Sequence, residues 1–471
     1  MEEIIISTDE LHKLKAETAW HYGVLPKERK ADVFELYCGP DIDPETFEEE
    51  ISVVLGSAVR LFPLPKAHIE RLLGTYYQRA GNGQPGETGA KSDNFLRKLI
   101  AEARRLRSSD IHIETYENKC RVRMRIDGLL VERHLVAQAD YPSLVNIIKV
   151  EANLDIAEKR LPQDGRMSFE SPEAKFDIRV SVLPTLHGEK VVLRLLNNDA
   201  ADISLDRLGF SGRDLDNYLQ GVKRPNGLLL ISGPTGSGKT TTLYATLKLL
   251  NQETRNVLTI EDPIEYTLDG INQTQLKESI GLTFGAALRT FLRQDPDVIM
   301  VGEIRDQDTA NMAIRAAMTG HLVLSTIHTN SAWGTVNRLI DMGVPAFMLS
   351  GTLNTSVAQR LVRLLCPACK KQVTFDPAVF PAHFKLPRAI STCYKAAGCS
   401  ECFYTGYKGR KAIYEVIPID AELSAEIKKG NQQVTDLLKA RGIGTLAENA
   451  FTLFCDGATS AEEIYPLLFN F

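Results

Sequence analysis

In the second half of the chain, near-continuous apolar runs alternate with stretches of helical spacing. The runs at 228–232, 257–260, 298–301 and 321–326 have strand length, and 239–250, 283–293 and 306–319 read as helices. Such alternation predicts a parallel sheet with helices on both faces. Upstream the pattern differs. Leu96, Leu99, Ile100, Ala103 and Leu106 share one helical face within 94–107. Ile111 and Ile113 alternate with His112 and Glu114, and Val122, Met124 and Ile126 with Arg121, Arg123 and Arg125. Asp127-Gly128 then predicts a tight hairpin into Leu129. Further strands at 176–180 and 191–195, with a helix at 143–154, complete a small α+β domain over 94–203.

These patterns divide the chain into an N-terminal domain (1–80), a linker (81–93), the α+β domain (94–203), a second linker (204–221) and an α/β core (222–365). A cysteine-bearing module (366–410) and a C-terminal helical region (411–471) follow. The 81–86 stretch, Gly-Asn-Gly-Gln-Pro-Gly, has no apolar pattern and marks the first linker. With 471 residues, 44% hydrophobic and 24% charged, composition is that of soluble globular domains. A net charge of −5 speaks against a protein that coats nucleic acid. No apolar stretch nears the ~20 residues that span a bilayer, and the N-terminus lacks the basic and apolar regions of a secretory signal. These features predict a cytoplasmic protein whose membrane contact runs through partners.

Gly233-Pro234-Thr235-Gly236-Ser237-Gly238-Lys239-Thr240-Thr241 stands between an apolar strand and a helix. That is the spacing and context of a phosphate loop. Its glycines let backbone N–H groups turn inward on a triphosphate, and the helix start adds a positive dipole end. Lys239 is placed for the β- and γ-phosphates and the Thr240 hydroxyl for Mg²⁺. Three further polar clusters close apolar runs: Glu261, Asp262 and Glu265; Gly302-Glu303 with Arg305-Asp306; and His328-Thr329-Asn330. Acidic groups at the carboxyl ends of parallel strands face the ligand crevice. Glu303 is therefore the candidate for the Mg²⁺ shell and water activation.

Eight cysteines include one patterned set, Cys366-Pro-Ala-Cys369 and Cys399-Ser-Glu-Cys402, with residues 370–398 between the pairs. Two Cys-x-x-Cys knuckles predict a closed, structural Zn²⁺ site. Cys393 lies close enough in sequence to compete as a ligand.

The phosphate loop, Thr259 to Glu265, Leu288-Arg289 with Leu292 to Asp297, Gly302 to Asp306 and Thr319 to Asn330 together resemble the secretion ATPase superfamily. They match its Walker A, Asp box, Walker B and His box. Within it, Ser108 to Glu114, Leu161 to Arg166, the cysteine quartet and Gly406 to Arg410 resemble the type II secretion and type IV pilus assembly ATPases, over about 94–471. Pilus retraction motors typically lack the quartet, which points to assembly or secretion. The resemblance implies a RecA-like core preceded by a PAS-like α+β domain. It implies a homohexamer in which Arg166 and Arg179, with Arg194 a weaker third, reach phosphates near a subunit boundary. Glu261, Asp262, Glu265, Glu303 and His328 complete the implied catalytic set. Implied partners are an inner-membrane platform protein and, for residues 1–80, a cytoplasmic adaptor. The expectation is an Mg-ATP-hydrolysing motor that drives pseudopilus or pilus assembly, peripheral to the inner membrane. Its rival is a nucleic-acid-translocating RecA-like motor, disfavoured by the charge balance and the quartet.

Overall fold

The computed structural model describes residues 16–76, 93–196 and 204–469, apart from positions 31, 32, 41, 43, 118, 172 and 173, together with residues 6, 10 and 14. Most of the expected linker at 81–93 lies outside the described residues. The chain forms two compact units. One holds 1–195 with 365–371 and 396–408; the other holds 196–364, 372–395 and 409–471.

In the first unit, α1 (Ala16–Tyr22), β1 (Val24–Lys30), β2 (Val33–Cys38), α2 (Pro44–Leu55), β3 (Ala58–Pro63) and α3 (Lys66–Tyr76) make the N-terminal domain. Its sheet runs β1-β2-β3, with an antiparallel and then a parallel pair.

The α+β domain follows: α4 (Asp93–Arg105), β4 (Asp110–Thr115), β5 (Cys120–Ile126), β6 (Leu129–Val136), α5 (Tyr141–Glu151), β7 (Gln163–Ser171), β8 (Ala174–Thr185) and β9 (Gly188–Leu196). Its six strands are ordered β6-β5-β4-β9-β8-β7. Leu96, Leu99, Ile100 and Ala103 of α4, with Leu144, Val145 and Ile148 of α5, pack on Ile111, Ile113, Val122 and Met124. The helical and two-residue periodicities thus meet in one core. Asp127 and Gly128 both take positive φ, 49° and 89°, between the paired residues Ile126 and Leu129. A two-residue hairpin turn of matching twist needs that conformation at both positions.

The second unit begins with α6 (Gly212–Val222), a helix within the stretch expected as a linker. Ser211 caps it by accepting from Asp214 N, and Tyr218 and Val222 are buried. Then come β10 (Gly227–Ser232), α7 (Lys239–Leu250), β11 (Val257–Glu261), β12 (Asn272–Gln275), α8 (Phe284–Phe291), β13 (Val298–Val301), α9 (Gln307–Met318) and β14 (Leu322–Ile327). After α10 (Gly334–Asp341) and α11 (Ala346–Thr352) the long β15 (Leu353–Leu365) leaves the sheet for a short β16 (Lys371–Thr374) and β17 (Thr392–Lys395). β18 (Tyr407–Pro418) returns, so the C-terminal region opens on a strand before its helices α12 (Ala421–Lys429), α13 (Thr435–Ala440), α14 (Leu446–Cys455) and α15 (Ala461–Leu468).

The main sheet runs β12-β11-β13-β14-β10-β15-β18. β12, β11, β13, β14, β10 and β15 pair in parallel. Alternate residues of each central strand serve opposite cores. Leu228 and Leu230 join α8, α9 and the C-terminal helices, whereas Leu229 and Ile231 join α6 and α7. A strand buried on both faces carries no polar alternation, which is why these runs read as unbroken.

Candidate functional site

Parallel pairing brings the carboxyl ends of β10, β11, β13 and β14 to one edge of the sheet. The glycine-rich loop joins β10 to α7 there. Gly238 caps α7 at φ 88°, and Gly233 sits at φ 151°. A Cβ on Gly233 would come within 2.5 Å of Gln359 O and 2.6 Å of Ser237 Oγ, so no side chain fits. Gln359 braces the loop: its Nε2 donates to Ser237 O (2.9 Å) and its Oε1 accepts from Thr242 Oγ1 (2.9 Å). Ser237 Oγ is buried with no hydrogen-bond partner among the described residues.

Lys239 is buried, and its Nζ donates to Gly233 O (2.8 Å) and Pro234 O (3.0 Å). Burial lowers its pKa, and the Glu303 charge opposes that shift. Thr240, in the first turn of α7, is exposed, and Thr241 is partly so.

Glu303, after β13, is mostly buried. Its carboxylate forms an ion pair with Arg305 and lies 3.4 Å from His328 Nε2. Arg305 also reaches Asp262 Oδ2 at 3.6 Å. The Glu303 hydrogen bond, ahead of the other contributions, raises the Arg305 pKa. The ends of β11, β13 and β14 thereby contribute Asp262, Glu303 and His328 to one charged cluster. Glu261 is placed differently. It is 3% exposed, accepts from Tyr244, and also accepts from Thr259 Oγ1 (2.6 Å) and Gln273 Nε2 (3.1 Å). Glu265 N donates to the same Tyr244 hydroxyl (3.3 Å).

Arg305 joins this site with a role its cluster did not specify, and Gln359 and Arg360 join it without having stood out in sequence. Arg305 carries a sequence signal, its place two residues after Glu303. Gln359 and Arg360 carry none, because Gln359 meets Ser237 and Thr242 more than a hundred residues upstream and Arg360 meets Asn330 thirty residues upstream.

In the α+β domain, Arg166 on β7 pairs directly with Arg179 on β8. Both alternate with buried Met167, Ile178 and Val180, so the two guanidiniums share the face opposite the core. Arg194 on β9 is held by Asp110 Oδ1 at 2.9 Å.

The four patterned cysteines converge. Cys366 and Cys399 sulfurs are 3.9 Å apart, Cys369 and Cys402 3.8 Å, and Cys399 and Cys402 3.8 Å, with all four within 4.8 Å. A tetrahedron with metal–sulfur bonds of about 2.3 Å has edges near 3.8 Å, so the quartet has the dimensions of a closed thiolate site. Backbone N–H groups of Cys399 and Gly406 both donate to Cys402 Sγ at 3.2 Å. Cys366 N donates to Gly406 O (2.9 Å), closing the neck of the excursion. Cys393 instead packs in the main core. On the α+β side, the Arg133 guanidinium lies over the Phe403 ring at 5.2 Å, and Glu102 takes two hydrogen bonds from the same guanidinium.

The segment between the knuckles has packing of its own on the main core. Phe375 and Phe380 are buried, and Phe380 packs edge-on against Phe451 and Phe454 of α14.

Among the described residues, no helix is long and apolar enough to cross a membrane.

A family profile described as "Type II/IV secretion system protein" matches residues 87–466. The type II secretion system protein E of Pseudomonas aeruginosa is 48% identical over 384 residues, covering 80% of this chain and 76% of the relative. The type IV pilus assembly ATPase PilB of Myxococcus xanthus is 45% identical over 383 residues, covering 78% and 66%. Among solved structures, the ATPase DotB of Legionella pneumophila aligns with a TM-score of 0.61 at 22% identity, over 82% of this chain and 98% of that one. The last of these is a likeness of fold.

Proposed function

The chain belongs to the type II/IV secretion system protein family, and from that premise we propose that it hydrolyses Mg-ATP to drive pseudopilus or pilus assembly in a type II secretion or type IV pilus system. The observation that carries this reading is one sheet edge holding a braced phosphate loop beside the Glu303–Arg305–His328 cluster. The loop's backbone, the buried Ser237 hydroxyl and Lys239 suit the β- and γ-phosphates. Thr240 and Glu303 offer the hard oxygen donors that Mg²⁺ takes. When bound, Mg²⁺ neutralises charge on the phosphate oxygens. Glu303 orients and polarises the attacking water, and His328 lies within reach of its carboxylate. Asp262 holds Arg305 on its far side. Glu261, with three donors on its two oxygens, supports the end of β11 and is set apart from the reacting groups; Glu265 stays a second-rank base.

The test is phosphate release by the purified chain together with complementation of a strain lacking it. Mg²⁺-dependent turnover and restored secretion or pilus assembly are expected. Turnover stimulated by single-stranded DNA would favour the nucleic-acid motor.

We assign the four cysteines to one structural Zn²⁺ per chain. Cys366→Ser with Cys369→Ser is expected to lose that ion, as read by elemental analysis, with nucleotide binding largely retained. Aromatic packing of 375–384 on α14 limits the damage to the knuckles. A double variant still holding one tightly bound Zn²⁺ per chain would show that the ligand set is wrong.

We place the chain in the cytoplasm as a homohexamer, peripheral to the inner membrane through a platform protein. Residues 1–80 dock an adaptor, and the α+β domain is PAS-like. Arg166 and Arg179 reach the phosphates of a neighbouring subunit, where paired guanidiniums suit charge spread over the transferring phosphoryl group. Arg166→Ala or Arg179→Ala is expected to lower turnover per site. Mixing either with a Lys239 variant is expected to regain activity, since a mixed boundary can join an intact loop to intact arginines. Mixed hexamers that never exceed their parents would remove the support for shared sites.

A further inference from the structure

Glu415, on β18, is a carboxylate only 5% exposed inside the second unit. Its Oε1 accepts from Ala332 N at 3.0 Å and its Oε2 from Leu446 N at 3.3 Å. Ala332 closes the turn that follows His328. Leu446 is the first residue of α14, whose cap is Thr445. One side chain thus ties the His328 turn to a C-terminal helix. Burial raises the Glu415 pKa, while these two N–H donors and the facing Arg360 act the other way; Glu448 adds to the rise.

The same turn is held from its other side. Arg360 Nη2 lies 3.4 Å from Asn330 O and 3.3 Å from Asn330 Oδ1. Its Nη1 donates to Gln359 O at 3.0 Å, and Gln359 is the residue that braces the phosphate loop. Within the turn, Thr329 Oγ1 donates to Ser331 O at 2.9 Å. Ala332 O takes hydrogen bonds from Thr335 Oγ1 (2.9 Å) and Ser356 Oγ (2.7 Å). Asn330 is therefore clamped through Arg360, and Ala332 through Glu415. His328 stands at the start of the clamped turn, 3.4 Å from Glu303.

We infer that Glu415 is a positioning residue: its carboxylate fixes the His328 turn against the start of α14, so that the C-terminal helices set the distance between His328 and Glu303. A carboxylate suits this task because it accepts from two N–H groups at once. An amide of the same shape must turn its NH₂ toward one of them. That loses one bond and sets two donors face to face. Displacement of a reacting group by about 1 Å from a remote change can cost on the order of 10²-fold in rate.

The inference rests on the ATPase reading, and the experiment separates the two. Phosphate release is measured for the wild type, Glu415→Gln, His328→Ala and the double variant, with nucleotide affinity read by a fluorescent ADP analogue. Glu415→Gln is expected to lower kcat about tenfold, with KM for ATP and ADP affinity within about twofold of wild type. The double variant is expected to be no slower than His328→Ala alone, because the two act through one group. A purely structural role would lower thermal stability and leave kcat per folded site unchanged. Normal kcat in Glu415→Gln, or losses that multiply in the double variant, overturns the inference while leaving the ATPase reading intact. No turnover in the wild type overturns both. If Glu415→Gln does not fold, Glu415→Asp replaces it in the same cycle. Its shorter carboxylate keeps the charge and reaches one donor, and the same non-additivity with His328→Ala is required.

Discussion

Lys239→Ala is expected to reduce ATP turnover to below about 1% of wild type, on the scale set by loss of a preorganised charge at a phosphoryl-transfer site. The lysine stem is buried within the loop, and its ammonium is held among loop carbonyls at 2.8 and 3.0 Å. The neighbouring cations of the same unit are engaged elsewhere: Arg305 with Glu303, and Arg360 with Asn330 and Gln359 O. The fold is expected to persist, because α7 anchors through Leu243, Tyr244, Leu247 and Leu250. Phosphate release with a thermal melt of the same sample decides it. Substantial turnover would show that this loop is not the active site.

Glu303→Gln is expected to bind ATP yet turn over about 10²-fold more slowly or worse, the usual scale for loss of a general base. The substitution keeps size and hydrogen bonding and removes one negative charge. It also releases Arg305, whose remaining carboxylate partner is Asp262 at 3.6 Å. Lys239 would lose the one charge that supports its protonation, a secondary cost in the same direction. Single-turnover kinetics with a binding measurement separate the steps. Near-normal turnover would move the base to Glu265 or Asp262.

Much of this was legible in the sequence where the signal is local. A strand buried on both faces is apolar at nearly every position, so 228–231 and 298–301 announced central strands. Asp127-Gly128 announced its turn because few other residue pairs tolerate two positive φ angles. The phosphate loop announced itself through spacing. Other features were present but overshadowed. Leu215, Tyr218, Leu219 and Val222 have helical spacing behind a Ser211 cap, yet the stretch around them read as a linker. Still others carry no local signal. Phe375, Phe380 and Phe384 sustain no single period along the segment, and each packs on α14 about seventy or more residues further on. The Asp262–Arg305–Glu303 cluster and the Glu415 bridge are products of strand order, which the spacing of residues along a chain does not reveal.

The neck formed by Cys366 and Gly406 has an implication for how such a chain can lengthen or shorten over its history. β15 and β18 are sheet neighbours, and the backbone bond from Cys366 to Gly406 closes the excursion where it departs. Seen alone, that is a cassette boundary, at which a whole insert could be gained or trimmed and replaced by a short turn. The insert is not one piece, however. Its two knuckles answer to each other, whereas 372–395 plugs Phe375 and Phe380 into the core beside α14. A deletion across the full cassette would therefore open a hole lined by Phe451 and Phe454, and it would survive only alongside larger residues on α14. Loss of the cysteines alone carries no such debt. Chains of this build should shed their knuckles more readily than their aromatic plug, and an engineered truncation should keep the plug.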